Sequence, residues 1–259
     1  MKKGMVSIVI PIVRNDIHVK GCVDAISNST YKNVEILVVD EGLERSAQRN
    51  IGIKKATGEY LLWLDSDMRI HPEVLQNCIR KITCVIDSAK FPTYHSVVGI
   101  YIPERIVTEG WFGKLRDWER QFYNGTLVDV LRFCRLEDAP LFDETLHGVE
   151  DSDWERQLIK KVHETKRETL VCDYPVYHHD QCGVIKWFKK KAYYARCLGA
   201  YKRKNPDDQL LTFRYRCVQI FVENGKWKRL IRRPHYAIGV MISLLIRGII
   251  FHVQKRRYR

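Results

Sequence analysis

The chain opens on a β-branched apolar run, Val6-Ser7-Ile8-Val9-Ile10-Pro11, stopped by proline. Runs of this kind mark strands buried on both faces rather than strands with one wet side. A second run, Val34-Glu35-Ile36-Leu37-Val38-Val39-Asp40, ends on a carboxylate. A third, Glu59-Tyr60-Leu61-Leu62-Trp63-Leu64, leads straight into Asp65-Ser66-Asp67. Between them, residues 16–28 put Ile17, Cys22, Val23 and Ile26 on one helical stripe. Residues 46–56 read as a helix carrying Arg49 and Asn50, with Gly58 as its C-terminal cap. Strand, helix, strand, helix, strand at this spacing predicts an α/β fold around a mainly parallel, doubly wound sheet. Farther on, the pattern predicts a helix over 72–88, a strand over 97–102, a helix over 151–161 with Trp154 and Leu158 inward, and a strand over 170–177. Residues 103–145 are aromatic-rich and mix helical patterns with loops.

Composition changes this picture at one end. The formal charge is +13, yet residues 1–182 carry 24 basic and 28 acidic residues, while residues 183–259 carry 20 basic residues against Asp207, Asp208 and Glu223. The chain therefore divides at about 182 into a near-neutral α/β part, 1–182, and a basic C-terminal region, 183–259. A surface so charged faces nucleic acid, anionic lipid or a phosphorylated substrate. The eight cysteines show no close paired spacing, as expected of buried thiols in a reducing compartment. The apolar N-terminus is short, contains Pro11 and has no small-residue cleavage site, so it reads as a buried first strand and the chain as cytosolic.

Ligands of open parallel sheets sit at the carboxyl ends of the strands, where Asp40, Asp65 and Asp67 fall. Two carboxylates one residue apart on a turn suit a hard divalent cation, Mg²⁺ or Mn²⁺, that in turn holds a diphosphate. Asp151, at a helix start, reads either as a cap or as a base, two roles a helix N-terminus lets one carboxylate combine.

Taken in order, Val6 to Pro11, Val34 to Gly42, Gln48-Arg49-Asn50-Ile51-Gly52, Ala56-Thr57-Gly58-Glu59-Tyr60 and Leu64-Asp65-Ser66-Asp67 resemble the first half of family 2 glycosyltransferases. Gly148-Val149-Glu150-Asp151-Ser152-Asp153-Trp154 resembles the Glu-Asp motif that carries their catalytic base. The resemblance covers residues 5–200 and implies a single glycosyltransferase-A domain, Rossmann-like, with a nucleotide-sugar donor. It places Pro11 to Arg14, Val13 included, and Asp40 around the nucleoside, and Arg49 near the diphosphate. It assigns Asp65 to ribose or metal and Asp67 to the metal. Asp151 becomes the general base with Glu150 as the alternative, and His178 or His179 a further metal or phosphate contact. One base and one metal-bound leaving group imply a single in-line displacement with inversion, and the resemblance implies a hexosyltransferase type. Two departures stand out: Glu41 replaces a common Asp, and Gly42-Leu43-Glu44-Arg45 replaces a Gly-Ser-Thr turn. They bear on the nucleotide base, UDP- or GDP-sugar, and not on the metal.

The basic region interleaves lysines and aromatics over 183–204, then continues into an apolar stretch, Tyr236 to Val253, broken by Ser243, Arg247 and His252. Basic groups and aromatic rings beside such a stretch fit the cytosolic face of a membrane better than nucleic acid. An arginine inside a barely sufficient length argues for a helix lying in the interface, peripheral or monotopic, rather than a span. The acceptor implied is a hydroxyl on a lipid-linked molecule or glycan. A polyprenyl-phosphate acceptor is the alternative within the class, and a nucleotidyltransferase or an RNA-binding protein the alternatives outside it.

Overall fold

A computed structural model of the 259-residue chain describes residues 1–83, 97–162, 168–180 and 182–257. Strand β1 (Lys2–Pro11) lies between β2 (Val34–Val39) and β3 (Gly58–Trp63), parallel to both. Alternation along these strands feeds two cores, because successive side chains point to opposite faces. Val6, Ile8 and Ile10 join Tyr60, Leu62 and Leu64 on one face, while Val9 joins Leu61 and Trp63 on the other. The first core is closed by α1 (Val19–Ser27) through Cys22 and Ile26 and by α3 (Val74–Thr83) through Val74, Leu75 and Cys78. The second is closed by α2 (Arg45–Lys55) through Ile53 and by α5 (Glu150–Val162) through Trp154 and Leu158. Helices thus cover both faces of the sheet, as the unbroken apolar runs require.

The sheet is completed by β5 (Val97–Tyr101), β7 (Leu131–Arg135) and β8 (Glu168–Val171), in the order β2-β1-β3-β7-β5-β8. Only β7 runs antiparallel to its neighbours, and the β5–β8 pair is parallel. A second, three-stranded sheet holds β4 (Met68–Ile70), β9 (Val176–His178) and β6 (Glu104–Ile106) in that order. It begins just past the acidic end of β3 and so shapes the functional edge.

Several elements differ from the pattern reading. Strand β7 is hidden in the aromatic-rich stretch because its arginines mask an apolar strand. Arg132 stacks 4.5 Å from the Trp63 ring, and Arg135 pairs with Glu59 at 3.3 Å. The single strand expected over 170–177 is two, β8 and β9, in different sheets, with Asp173, Tyr174 and Pro175 turning between them. Gly58 does not cap α2. It opens β3, where a Cβ would lie 2.5 Å from the Met5 carbonyl oxygen, so only glycine lets β1 and β3 approach. The helix expected over 72–88 runs from Val74 to Thr83, with 84–88 outside the described residues.

The C-terminal region is helical: α6 (Val184–Lys204), a short α7 (Ile220–Val222), α8 (Trp227–Arg232) and α9 (Pro234–Arg257). It packs on α4 (Gly110–Tyr123), whose Leu115, Trp118 and Phe122 share a core with Tyr215, Ile220, Phe221 and Val240.

Candidate active site

The acidic turn is held from both sides. Leu64 donates its backbone N–H to the Val9 carbonyl at 3.0 Å, and Met68 donates to the Asp65 carbonyl at 3.0 Å, which folds Asp65 to Asp67 into a tight turn. The Ser66 hydroxyl donates to Asp16 at 2.5 Å and ties the turn to the loop after β1. Beneath it lies Arg49, with 0% exposure. Its guanidinium donates to Asp65 Oδ1 at 2.7 Å and to Asp151 Oδ1 at 2.6 Å, while resting 4.3 Å from the Trp63 ring and 5.0 Å from Phe142. Glu150 stands close behind, 3.8 Å from Arg49 and 3.3 Å from Arg45. Burial by itself would raise Asp65. The charges of Arg49, then Arg45 and Arg132, outweigh it and hold that carboxyl well below the usual range. Glu150 goes the other way: burial and the neighbouring Asp151 raise it, against Arg45 and Arg49.

Asp67 is approached by the second sheet. Register pairs Met68 with His178, and Ile106 with His178, which carries the imidazole to the turn. His178 Nε2 lies 3.1 Å from Asp67 Oδ2, and Nδ1 lies 2.8 Å from Glu104 Oε1. Burial would lower His178, but its hydrogen bonds to Asp67 and Glu104 push it up to about 10. Glu104 is itself anchored by Arg120 at 3.1 Å and Arg132 at 3.5 Å. Among the described residues, the other Asp67 oxygen, Oδ1, is buried and has no hydrogen-bond partner.

These residues fit a divalent cation. An unpartnered buried carboxylate oxygen is costly unless something charged completes it. Asp67 Oδ2 and His178 Nε2 stand at a separation two ligands of one ion can share, since metal–ligand bonds near ~2.1 Å put adjacent ligands ~3 Å apart. A carboxylate on the far ring nitrogen, here Glu104, is the usual orienting partner of a metal-binding histidine. Among the described residues, no three His, Cys, Asp or Glu side chains gather into a complete metal cage. A diphosphate and water would have to supply the remaining ligands.

A cavity of about 660 Å³ opens beside the turn, lined by Ile12, Val13, Arg14, Asp40, Glu41 and Gln48 among others. Gln48 holds its floor by donating to the Ile12 carbonyl at 2.8 Å. On the opposite flank, Tyr194 of α6 covers the loop before α5. A Cβ on Gly148, whose φ is +83°, would fall 2.2 Å from the Tyr194 ring. Lys190, one turn earlier on α6, lies 6.0 Å from that ring.

The expected residues thus fall into three joined groups: Val13, Arg14 and Asp40 at the cavity, Asp67 with His178, and Asp65 with Glu150 and Asp151. Four expectations change. Pro11 is buried as the last residue of β1, and Ile12 lines the cavity in its place. Arg49, expected near the diphosphate, is sealed beneath the carboxylates and joins them. His179 offers its backbone N–H to the Asp67 carbonyl at 2.9 Å, which leaves His178 as the imidazole on the carboxylate. Asp151 is not a cap either: it sits inside the first turn of α5 with its side chain on Arg49. Glu104, Arg120, Arg45 and Tyr194 escape the sequence reading. Arg45 left a signal as part of the unusual turn after Asp40, and Tyr194 as one of the aromatics interleaved with lysines over 183–204.

A mainly parallel sheet with a small second sheet beside its acidic edge is similar to the glycosyltransferase-A fold. Within it the resemblance to family 2 is borne out: residues 41–85 match the pattern described as glycosyl transferase family 2. The chain is 26% identical over 103 residues to the glycosyltransferase GlyA of Streptococcus pneumoniae serotype 4, covering 30% of this chain and 15% of that protein. It is 28% identical over 98 residues to the uncharacterized glycosyltransferase RT0329 of Rickettsia typhi, covering 29% and 31%. The matches thus span 15–31% of the length of these relatives. In fold it is similar to the mannosyltransferase PcManGT from Pyrobaculum calidifontis, solved with GDP-Man and Mn²⁺. That likeness has a TM-score of 0.56 at 14% identity, over 96% of this chain and 84% of the other.

Proposed function

We propose that the chain is an inverting, metal-dependent glycosyltransferase of the hexosyltransferase type. It moves a sugar from a nucleotide-sugar donor, UDP- or GDP-linked, to a hydroxyl of a lipid-linked or glycan acceptor at the cytosolic face of a membrane. The observation that carries this reading is the Arg49 bridge. One buried guanidinium ties the acidic turn after β3 to the start of α5, so donor-side and acceptor-side carboxylates share one rigid mount. Relatives named as glycosyltransferases and a neighbour of the same fold solved with GDP-Man and Mn²⁺ support it.

Asp40, Val13 and Arg14 receive the nucleoside in the cavity after β1. Asp67, with His178 beside it, holds Mg²⁺ or Mn²⁺, and Asp65 reaches the ribose or the metal. When bound, the ion neutralises charge growing on the departing diphosphate. Asp151, more open than Glu150, takes the proton of the acceptor hydroxyl as its oxygen attacks the anomeric carbon, and Glu150 is the alternative base. A single base opposite a leaving group gives one in-line displacement and inversion.

The test is a thermal-shift screen of UDP-, GDP- and CMP-sugars, each with Mn²⁺ or EDTA, on wild type and Asp67→Ala. Stabilisation by one nucleotide class is expected, only with metal and only with Asp67 present. No response to any nucleotide, or an equal response of Asp67→Ala, overturns the donor site. Asp151→Asn should keep the donor-induced shift and lose transfer to a hydroxyl. Retained transfer to the hydroxyl would make Glu150 the base, whereas transfer to a polyprenyl phosphate and to no hydroxyl would point to the phosphate acceptor, which needs no base.

A further inference from the structure

Helix α9 has its polarity reversed for a helix on a water-facing surface. Ser243, Arg247 and Gln254 face the protein: Arg247 pairs with Glu119 and lies 5.3 Å over Trp187, and Gln254 accepts from Arg196 at 3.2 Å. The outward row is Ile238, Met241, Ile242, Leu245 and Ile249, each 52–67% exposed. Ile231 and Trp227 of α8, just before α9 in the chain, are exposed as well, at 69% and 46%. A contiguous apolar face of this kind marks a surface meant to be covered.

Two observations say by what. From residue 224 to 259 the chain has ten basic residues and no acidic one. Arg229, Arg232 and Arg233 are exposed just before α9 begins. A second copy would bring the same positive charge face to face, whereas an anionic bilayer complements it and accepts the apolar row. The second observation is how α9 is mounted. Tyr236 near one end stacks on Trp118 at 5.6 Å, Arg247 pairs in the middle with α4, and Gln254 near the other end meets α6. From Tyr236 to Gln254 the helix rises about 27 Å, close to the thickness of the hydrocarbon, but it is fixed sideways to the folded body along that length. Crossing would drag α4 and the lysines of α6 into the hydrocarbon.

We infer that α9 is an in-plane anchor: it lies in the head-group region of an anionic phospholipid surface with its outward row in the acyl boundary, and does not span the bilayer. The inference rests on the membrane-face part of the proposed function and on nothing in the donor site. The arrangement keeps α6, whose Tyr194 covers the loop before α5 and whose Arg196 meets Gln254, beside the anchor helix.

The experiment is vesicle co-sedimentation of the full chain with phosphatidylcholine alone and with phosphatidylserine added, for wild type, Ile242→Glu/Leu245→Glu and Arg232→Glu/Arg233→Glu. Wild type should sediment with anionic vesicles and bind neutral ones less. The apolar-row variant should lose binding by about tenfold or more with an unchanged melting temperature, because its side chains are already exposed. The arginine variant should lose the preference for anionic lipid. Quenching of exposed tryptophans by lipids brominated near the head groups should exceed quenching by lipids brominated near the chain ends. Wild type staying in the supernatant, or the apolar-row variant binding like wild type, overturns the inference. So does a lipid-free dimer that Ile242→Glu/Leu245→Glu converts to monomer without any vesicle binding, or quenching strongest from the chain ends. Donor-induced thermal shifts on the same samples report the nucleotide site separately.

Discussion

At the scale of single residues, Arg49 does most to define this site. Its guanidinium is enclosed by two aromatic rings and carries two carboxylates on opposite sides. Arginine suits this task because its planar fork donates in two directions and stacks on rings, which a lysine ammonium cannot do. Removing it takes the shared buried partner from Asp65 and Asp151 and leaves Glu150 to Arg45. Arg49→Met is therefore expected to destabilise the fold by about 3 kcal/mol or more, read by urea denaturation. The loss should shrink when Asp65→Asn is added, since that removes one uncompensated charge, and simple additivity of the two would refute the bridge. Arg49 was visible in the sequence as a residue of interest, but its role was not. Nothing in a helix pattern says which arginine turns inward to carboxylates 16 and 102 positions away.

At the scale of elements, α5 is coupled to the sheet through Glu155 of its second turn. The Tyr101 hydroxyl of β5 donates to Glu155 at 2.6 Å and the Leu131 N–H of β7 at 3.3 Å. Burial pushes this carboxyl up to about 7, partly offset by Arg156 and by the Tyr101 hydrogen bond. The folded protein then holds a proton that the unfolded chain, with its ordinary value near 4.5, releases. Stability from this group is full below about pH 4.5 and is lost as pH rises through about 7. Glu155→Gln should flatten that part of the profile, measured as melting temperature from pH 5 to 8. An unchanged slope would show that Glu155 is ionised in the fold.

The same scale shows where pattern reading succeeds. Strands β1, β2 and β3 were legible because burial on both faces demands unbroken apolar runs. Strand β7 was not, because Arg132 and Arg135 stay in a central strand by lying on Trp63 and Tyr60. Those partners come from another strand, and local periodicity does not contain them.

At the scale of the whole molecule, the C-terminal helices cover part of the core as well as bearing charge. Tyr236 and Val240 of α9 cover Trp118 and Leu115 of α4. A chain ending at Arg233 should therefore melt at least ~10 °C lower, since several large side chains lose their burial. Melting at the wild-type temperature would mean that the rest of the chain stands without α9.

By itself the sequence determined the parallel core, the acidic strand ends, the Glu-Asp pair and the basic, apolar C-terminus, since each follows from residue types at short spacing. Tertiary structure alone decided that Arg49 is enclosed rather than offered to a diphosphate, that His178 rather than His179 meets Asp67, and that Ser243 and Arg247 face inward. The reason is the same in each case. Which way a polar side chain turns depends on partners far away in the chain, and burial forces it to find them.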